Sequence, residues 1–303
     1  MVATAEVRSQ VTGWLVLGAG GQLGRCLNEA LVETGISVTL ADRKECDIAD
    51  ARTVADLLSR TRPDVVVNCA AWTAVDAAED NELAATRANC DGARIVAKAC
   101  KNHGALLVHV STDYVFSGTD LLPYDEDSPT LPASAYGRSK LLGEHAVRES
   151  YPEGTYVVRT AWLYSRFGSN FVKTMIRRAL ADAPVRVVDD QRGQPTHAGD
   201  LSRHIIDLVQ SDAPCGVYHG TNSGDGTWYE LAREIYDLAH KPISLVTPVG
   251  TSEYPTKAHR PKNSVLAHRR TIAAGVSEMR NWKSALAESI GGIIAEVEKE
   301  IAT

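Results

Sequence analysis

Short apolar runs alternate with amphipathic stretches through the first half of the chain. The runs WLVLG (14–18), SVTLA (37–41), DVVVNCA (64–70), ALLVHVST (105–112) and TYVVRTAWLY (155–164) are continuously apolar rather than alternating. Strands covered on both sheet faces have this pattern. Helical periodicity falls near residues 22–34, 51–61, 82–103 and 135–150. Strand and helix in alternation predict a parallel sheet with right-handed crossovers. The expected fold class is α/β: a Rossmann-type doubly wound parallel sheet with a smaller mixed α/β substrate lobe.

After about residue 165 the rhythm loosens. Helices are expected near 170–182, 198–211 and 227–239, and strands at VRVVDDQ (185–191) and GVYHGTN (216–222). The stretch HKPISLVTPVGTSEYPTKAHRPKNS (240–264) is rich in Pro, Ser and Thr and reads as mostly irregular. NWKSALAESIGGIIAEVEKEIA (281–302) reads as a closing helix. The division expected is an NAD(P)-binding domain from 13–165 plus 184–222, and a substrate lobe from 166–183 plus 223–280. A C-terminal helix is expected over 281–303, and 1–12 is expected to be flexible.

Composition narrows the partners. The chain has 303 residues and a formal charge of -6, without the basic stripe of a nucleic-acid binder. A local basic pocket for an anionic small molecule remains compatible with that charge. Six scattered cysteines form no CxxC pair, as in a reducing compartment. No run is long and apolar enough for a bilayer span, and MVATAEVRSQVTG lacks a signal-peptide core. A cytoplasmic protein with no nucleic-acid or membrane partner is expected.

WLVLGAGGQLGRCLNEAL sets Gly18, Gly21 and Gly24 at GxxGxxG spacing between a strand and a helix, the context of a dinucleotide fingerprint. Gly18 would make the turn, Gly21 would admit a pyrophosphate to the helix N-terminus, and Gly24 would let helix and strand pack closely. Gly20 adds freedom to that turn. The second strand ends in Asp42-Arg43. An acid there can hold ribose hydroxyls and an arginine can meet a 2′-phosphate, so either NADH or NADPH is expected. Asp47 and Ile48 follow. They suit adenine, and Asp47 or Asp50 equally suits a helix cap.

ALLVHVST ends at Ser111-Thr112, which should stand at the carboxyl edge of the sheet, where ligands of such sheets bind. Tyr136 and Lys140 lie one turn apart on a helix face. Reducing a ketone requires a proton at its oxygen. A phenol has an ordinary pKa of roughly 10, and a nearby ammonium lowers it. On this reading Tyr136 gives the proton, Lys140 tunes it and holds the nicotinamide ribose, and Thr112, with Ser111 close by, bonds the substrate oxygen. An amphipathic helix with a packed tyrosine and an exposed lysine would show the same spacing.

Taken together, the glycine loop, VNCAAWTAVDAAE, STDYVFSG, YGRSK, RTAWLY, DDQRGQPT and RPKNS resemble the dTDP-4-dehydrorhamnose reductase family of the extended short-chain dehydrogenase/reductases, from about Trp14 to Ser264. The resemblance implies NAD(P)H-dependent reduction of the 4-keto group of dTDP-4-dehydro-β-L-rhamnose to dTDP-L-rhamnose, with Thr112, Tyr136 and Lys140 catalytic. It implies Gly21, Gln22 and Leu23 around the pyrophosphate, and Ala70, Ala71 and Trp72 beside the cofactor. Asn89 would belong to the helical wall below the lysine. Val75, Asp76, Asp113, Tyr114 and Trp162 match sugar-pocket positions. Asn170, Gln194, Thr196, Arg260 and Ser264 match an outer nucleotide pocket. Some members carry a magnesium-bridged dimer that uses an acid two positions after the third glycine. Cys26 stands there and is a poor Mg²⁺ ligand, so a monomer or a different homodimer is expected. An epimerase or dehydratase on this scaffold, or a non-catalytic regulatory subunit, are the alternatives. The former usually has an Asp-Glu pair after the threonine, which STDYVFSG lacks.

Overall fold

The computed structural model describes residues 13–211 and 213–302, so the expectation for 1–12 lies outside the described residues. The first half runs Gly13–Leu17 (β1), Gln22–Glu33 (α1), Ser37–Ala41 (β2), Ala51–Thr61 (α2) and Val65–Asn68 (β3). It continues with Val75–Ala78 (α3), Glu82–Thr86 (α4), a π-helical turn at Arg87–Gly92, and Ala93–His103 (α5). Then come Leu106–Thr112 (β4), Ala135–Ser150 (α6) and Thr155–Thr160 (β5). The second half runs Leu163–Tyr164 (β6), Phe171–Leu180 (α7), Val185–Val188 (β7), Arg192–Gly193 (β8), Thr196–His197 (β9) and Ala198–Gln210 (α8). Gly216–His219 (β10), Gly226–Thr227 (β11), Trp228–Leu238 (α9), Val246–Val249 (β12), Arg269–Ala273 (α10) and Trp282–Ile301 (α11) complete it.

Six parallel strands form the central sheet in the order β10-β5-β4-β3-β1-β2. The chain reverses direction across the sheet between β1 and β3, and the crevice at such a switch point is where open α/β sheets take ligands. One face is packed by Leu23, Leu27 and Leu31 of α1 and Leu201, Ile205 and Leu208 of α8. The other carries Val54 and Leu58 of α2, Val96 and Cys100 of α5 and Val147 of α6. This two-sided cover is why the strand runs are continuously apolar.

Several elements depart from expectation. The apolar run at 155–164 is two strands, broken at Trp162, which turns the chain at φ 44°. The helical stretch at 82–103 holds a π-turn over Arg87–Gly92. β7 pairs with β12, so 240–264 contains a strand and 185–188 joins the smaller lobe rather than the dinucleotide domain. Residues 266–279 return to the larger body: Leu266 bridges Tyr124, and Val276 and Met279 pack with the α1–α8 face. The C-terminal helix closes the smaller lobe. Trp282, Leu286, Ile290 and Ile293 of α11 share one core with Val172 and Ile176 of α7, Val187 of β7 and Leu231 and Ile235 of α9.

Trp282 is 2% exposed at the centre of that core. Trp282→Ala is expected to destabilise the protein by about 3–5 kcal/mol in denaturant titration. A loss below about 1 kcal/mol would return α11 to an appended role.

Candidate active site

The glycine loop sits at the switch point. Gly18 has φ 75°, and a Cβ there would lie 2.6 Å from Ala70 N on the loop after β3. A Cβ at Gly24 would lie 2.6 Å from Gly18 O and 2.7 Å from Ala19 Cα. Both positions therefore exclude side chains, one by backbone conformation and contact and one by contact alone. Gly18 N and Ala19 N donate to Ala41 O at 2.9 and 3.1 Å, which ties the loop to the end of β2. α1 begins at Gly21 with no side-chain cap, so its first N–H groups face the crevice side-chain-free. A pyrophosphate fits that arrangement: Gly18, Gly20 and Gly21 keep the turn low and the helix end offers donors.

The expected cofactor residues sort by how they face this loop. Gly21 and Gln22 lie at the helix start. Leu23 is buried in the α1 core, so only its backbone is available. Asp42 follows β2 beside the loop; its Oδ1 accepts from Lys44 N at 2.6 Å, and exposed Arg43 is next to it. Asp47 turns the chain by accepting from Ala49 N at 3.0 Å, while Asp50 is the cap of α2, accepting from Arg52 N at 2.9 Å. Ile48 is 7% exposed and packs against the π-turn, where a Cβ at Gly92 would meet its Cγ1 at 2.8 Å. Ala70, Ala71 and Trp72 form the loop after β3. Asn89, buried in the π-turn, clamps that loop by accepting from Trp72 N at 2.8 Å and donating to Trp72 O at 3.1 Å. Its amide also donates to Ser139 Oγ at 2.9 Å, linking loop and α6.

α6 brings the reacting side chains to the end of β4. Ser134 caps it, accepting from Gly137 N at 3.1 Å, and Arg138 forms a bidentate pair with Glu82. Two glycines set its depth. A Cβ at Gly137 would lie 2.2 Å from Tyr114 O, and one at Gly143 would lie 2.1 Å from Asn89 O. Thr112, Tyr136 and Lys140 are all buried, at 5%, 9% and 2% exposure. Tyr136 meets Tyr114 edge-on at 5.6 Å between ring centroids.

The electrostatics differ from expectation. Burial pushes the Tyr136 phenol up, its hydrogen bond with Thr112 draws it partly back, and Asp113 and Tyr114 push it up again. Lys140 does not supply the expected lowering. Its Nζ donates to Val110 O at 2.6 Å, and burial draws the ammonium down to about 8 against the opposing pull of Glu144. Tyr136 is thus a neutral, protonated phenol at neutral pH. Ser111 is also redirected: its hydroxyl donates to Glu144 Oε1 at 2.5 Å, and that carboxylate forms a buried pair with Arg159.

Of the expected sugar-pocket residues, Val75 and Tyr114 pack around Tyr136. Asp113 is 3% exposed directly after Thr112. Asp76 pairs with Arg260 at 2.6 Å and accepts from Ala258 N at 3.0 Å, so α3 holds the 255–264 segment against the larger lobe. Arg260 Nη1 is buried with no partner. The outer residues are each engaged within the chain. Gln194 clamps Leu266, accepting from its N at 2.8 Å and donating to its O at 3.2 Å. Thr196 is wholly buried and donates to Gln194 O. Asn170 caps α7 and donates to Gln22 Oε1 at 2.9 Å, so it faces the glycine loop. Ser264 is 1% exposed, behind Asp113. The polar atoms of these four side chains are bonded within the chain or buried.

Sequence reading missed Trp228. Its ring stacks on Trp162 at 3.6 Å and 9°, and a Cβ at Gly193 would lie 2.4 Å from Trp162 Cε2. Trp162 is therefore a shelf fixed on one face by Trp228 and at its edge by β8. The capping box at Thr227 and Glu230, which starts α9 one residue earlier, was the available signal.

Residues 13–293 match the model of the RmlD substrate binding domain. The chain is 44% identical to a dTDP-4-dehydrorhamnose reductase of Streptomyces griseus, over 95% of this chain and 96% of that one. It is also 44% identical to a dTDP-4-keto-6-deoxy-D-glucose reductase of Streptomyces niveus, over 91% and 96%. A crystal structure of a Bacillus anthracis dTDP-4-dehydrorhamnose reductase in complex with NADP matches with a TM-score of 0.89 at 37% identity, covering 93% of this chain and 99% of that one.

Gly24→Ala is expected to weaken NADPH binding at least about 10-fold in fluorescence titration, because the loop must move away from its helix. Unchanged affinity would contradict the cradle.

Proposed function

The chain belongs to the RmlD substrate binding domain family, and from that membership we propose that it is an NAD(P)H-dependent oxidoreductase that reduces the 4-keto group of dTDP-4-dehydro-β-L-rhamnose to give dTDP-L-rhamnose. The observation that carries this is the burial of Thr112, Tyr136 and Lys140, in a chain whose Gly18 and Gly24 admit no side chain and which has 44% identity to a reductase of that name.

Bound NAD(P)H would supply the hydride to C4 of the sugar. The chain's own residues manage the proton and the geometry. Tyr136, neutral because it is buried, donates its proton to the ketone oxygen as charge develops there. Thr112, which lowers that phenol against its burial, aligns the oxygen. Lys140, anchored on Val110 O, presents a cation to the ribose side of the crevice. Gln22 and the start of α1 receive the pyrophosphate. Asp42 and Arg43 border the adenosine ribose, so both NADH and NADPH are usable. Trp162 offers an apolar shelf for the deoxysugar. Arg260, with Nη1 unpartnered, is suited to the substrate diphosphate.

The partner is a small dTDP-sugar. Among the described residues no helix is long and apolar enough to cross a membrane. A cytoplasmic location and a monomer or a homodimer without a metal bridge complete the proposal. Cys26, where a magnesium-ligating acid would stand, is a buried thiol pushed up to about 11.

Purified protein is expected to oxidise NADPH in step with dTDP-4-dehydrorhamnose and to release dTDP-L-rhamnose. The 4-keto-6-deoxy-D-glucose nucleotide serves as the competing substrate. Tyr136→Phe is expected to lower kcat by roughly 10²–10⁴-fold while NADPH affinity stays within about 2-fold. Near-normal turnover in that variant would remove Tyr136 as the donor. NADPH oxidation confined to the glucose-configured sugar would reassign the substrate.

A further inference from the structure

We propose that Asp76 is the positioning residue for Arg260: it holds one arm of the guanidinium and so keeps the other, Nη1, set for the substrate diphosphate. This deepens the dTDP-sugar reading and rests on it.

Two other arginines show what a full carboxylate pair looks like in this chain. Arg138 meets Glu82 through Nε and Nη2 at 2.7 and 2.8 Å, and Arg159 meets Glu144 through the same nitrogens at 2.9 and 2.7 Å. Both are two-armed. Arg260 is different. Its Nη2 donates to Asp76 Oδ2 at 2.6 Å, while Asp76 Oδ1 accepts from Ala258 N at 3.0 Å. The backbone amide takes the oxygen that a second arm would use. Nη1 is buried without a hydrogen-bond partner, the only arginine or lysine nitrogen in that state among the described residues. A buried donor without an acceptor is costly, so the arrangement calls for an acceptor from outside the chain. A phosphate oxygen is one that a guanidinium binds well. The place is right for a sugar nucleotide. Burial pushes the Tyr114 phenol up and the Arg260 cation draws it partly back, and the Tyr114 ring meets Tyr136 edge-on at 5.6 Å.

The backbone that carries Arg260 is fixed without Asp76. Lys262 N and Asn263 N donate to Gly118 O at 3.0 and 3.1 Å, and the Asn263 amide donates to Asp120 O and Leu122 O at 2.9 and 3.1 Å. A Cβ at Gly118 would lie 2.4 Å from Pro261 Cβ, so the two segments are in close contact. On the other side of Arg260, Lys257 pairs with Asp80. These contacts leave the long arginine side chain its own rotational freedom. Asp76 removes that freedom before substrate arrives, and ordering a side chain in advance strengthens binding. The Asp76 side chain is 46% exposed and that of Arg260 18%, so the carboxylate stands toward solvent and the guanidinium lies inside.

The test uses full-length wild type, Asp76→Ala, Asp76→Asn, Arg260→Ala and the double variant Asp76→Ala/Arg260→Ala. Affinity for dTDP is measured by titration calorimetry, and KM with dTDP-4-dehydrorhamnose and NADPH. Asp76→Asn keeps an oxygen for Ala258 N but turns an amide donor toward Nη2, so it releases the guanidinium without releasing the segment. Asp76→Ala and Asp76→Asn are each expected to weaken dTDP binding on the order of 10-fold and to raise KM for the sugar nucleotide equally. The loss should fall on KM rather than kcat, with NADPH affinity within about 2-fold. Arg260→Ala should lose at least as much, and Asp76→Ala should cost nothing further in that background. Additive losses in the double variant would overturn the proposal, because Asp76 would then act without the guanidinium. Wild-type dTDP affinity in Asp76→Asn would overturn it as well, and tighter binding would make the carboxylate a competitor of the diphosphate instead. A wild type that binds no dTDP would overturn both the proposal and the substrate reading. A wild type that shows the expected cycle with dTDP yet oxidises no NADPH with the keto sugar would overturn the reductase reading and leave Asp76 in its role.

Discussion

The close approach of α6 to the carboxyl end of β4 is the contact on which the rest depends. Ordinary helix packing would leave room for Cβ atoms. Gly137 and Gly143 remove them, and the helix settles against Tyr114 O at one point and Asn89 O at another. That depth buries Tyr136 and Lys140 between sheet and helix. Burial then decides their chemistry: it keeps the phenol protonated and makes the ammonium seek Val110 O. Asn89 participates from the other side, since its π-turn supplies the carbonyl under Gly143 and its amide holds the 70–72 loop. One helix position thus couples proton donor, lysine anchor and cofactor loop.

Side-chain hydrogen bonds tie the smaller lobe to the crevice. Gln22 of α1 bonds Asn170 of α7, and Asp76 of α3 bonds Arg260 and Ala258. Trp162, stacked on Trp228, holds its backbone in a left-handed conformation. A non-glycine residue holds that conformation only when its surroundings over-determine it. Here the stack, the Gly193 contact and the bond from Thr196 N to Trp162 O do so.

Much of this was legible in the residues. Continuous apolar runs located the strands of the main sheet, and the start of α2 followed from Asp50 as a cap. The glycine loop, Thr112, Tyr136 and Lys140 were visible because order and spacing along the chain encode a shared edge of the sheet. What was not legible depended on pairings between distant segments. Nothing local tells β7 to join β12, or Gln194 to clamp Leu266. The direction of the Tyr136 shift was missed for a physical reason. Helical spacing implies proximity to Lys140, but not that a carbonyl would take the ammonium or that burial would outweigh it.

The most direct test of the α6 approach is the NADPH-dependent turnover of Gly143→Ala beside that of Gly291→Ala. A Cβ at Gly291 of α11 meets nothing within 4 Å, so alanine there is a control for helix propensity alone. Gly143→Ala should lose at least about 10-fold in kcat, because the helix must lift Tyr136 away from the crevice, and Gly291→Ala should match the wild type. Equal turnover in the two variants would contradict the account.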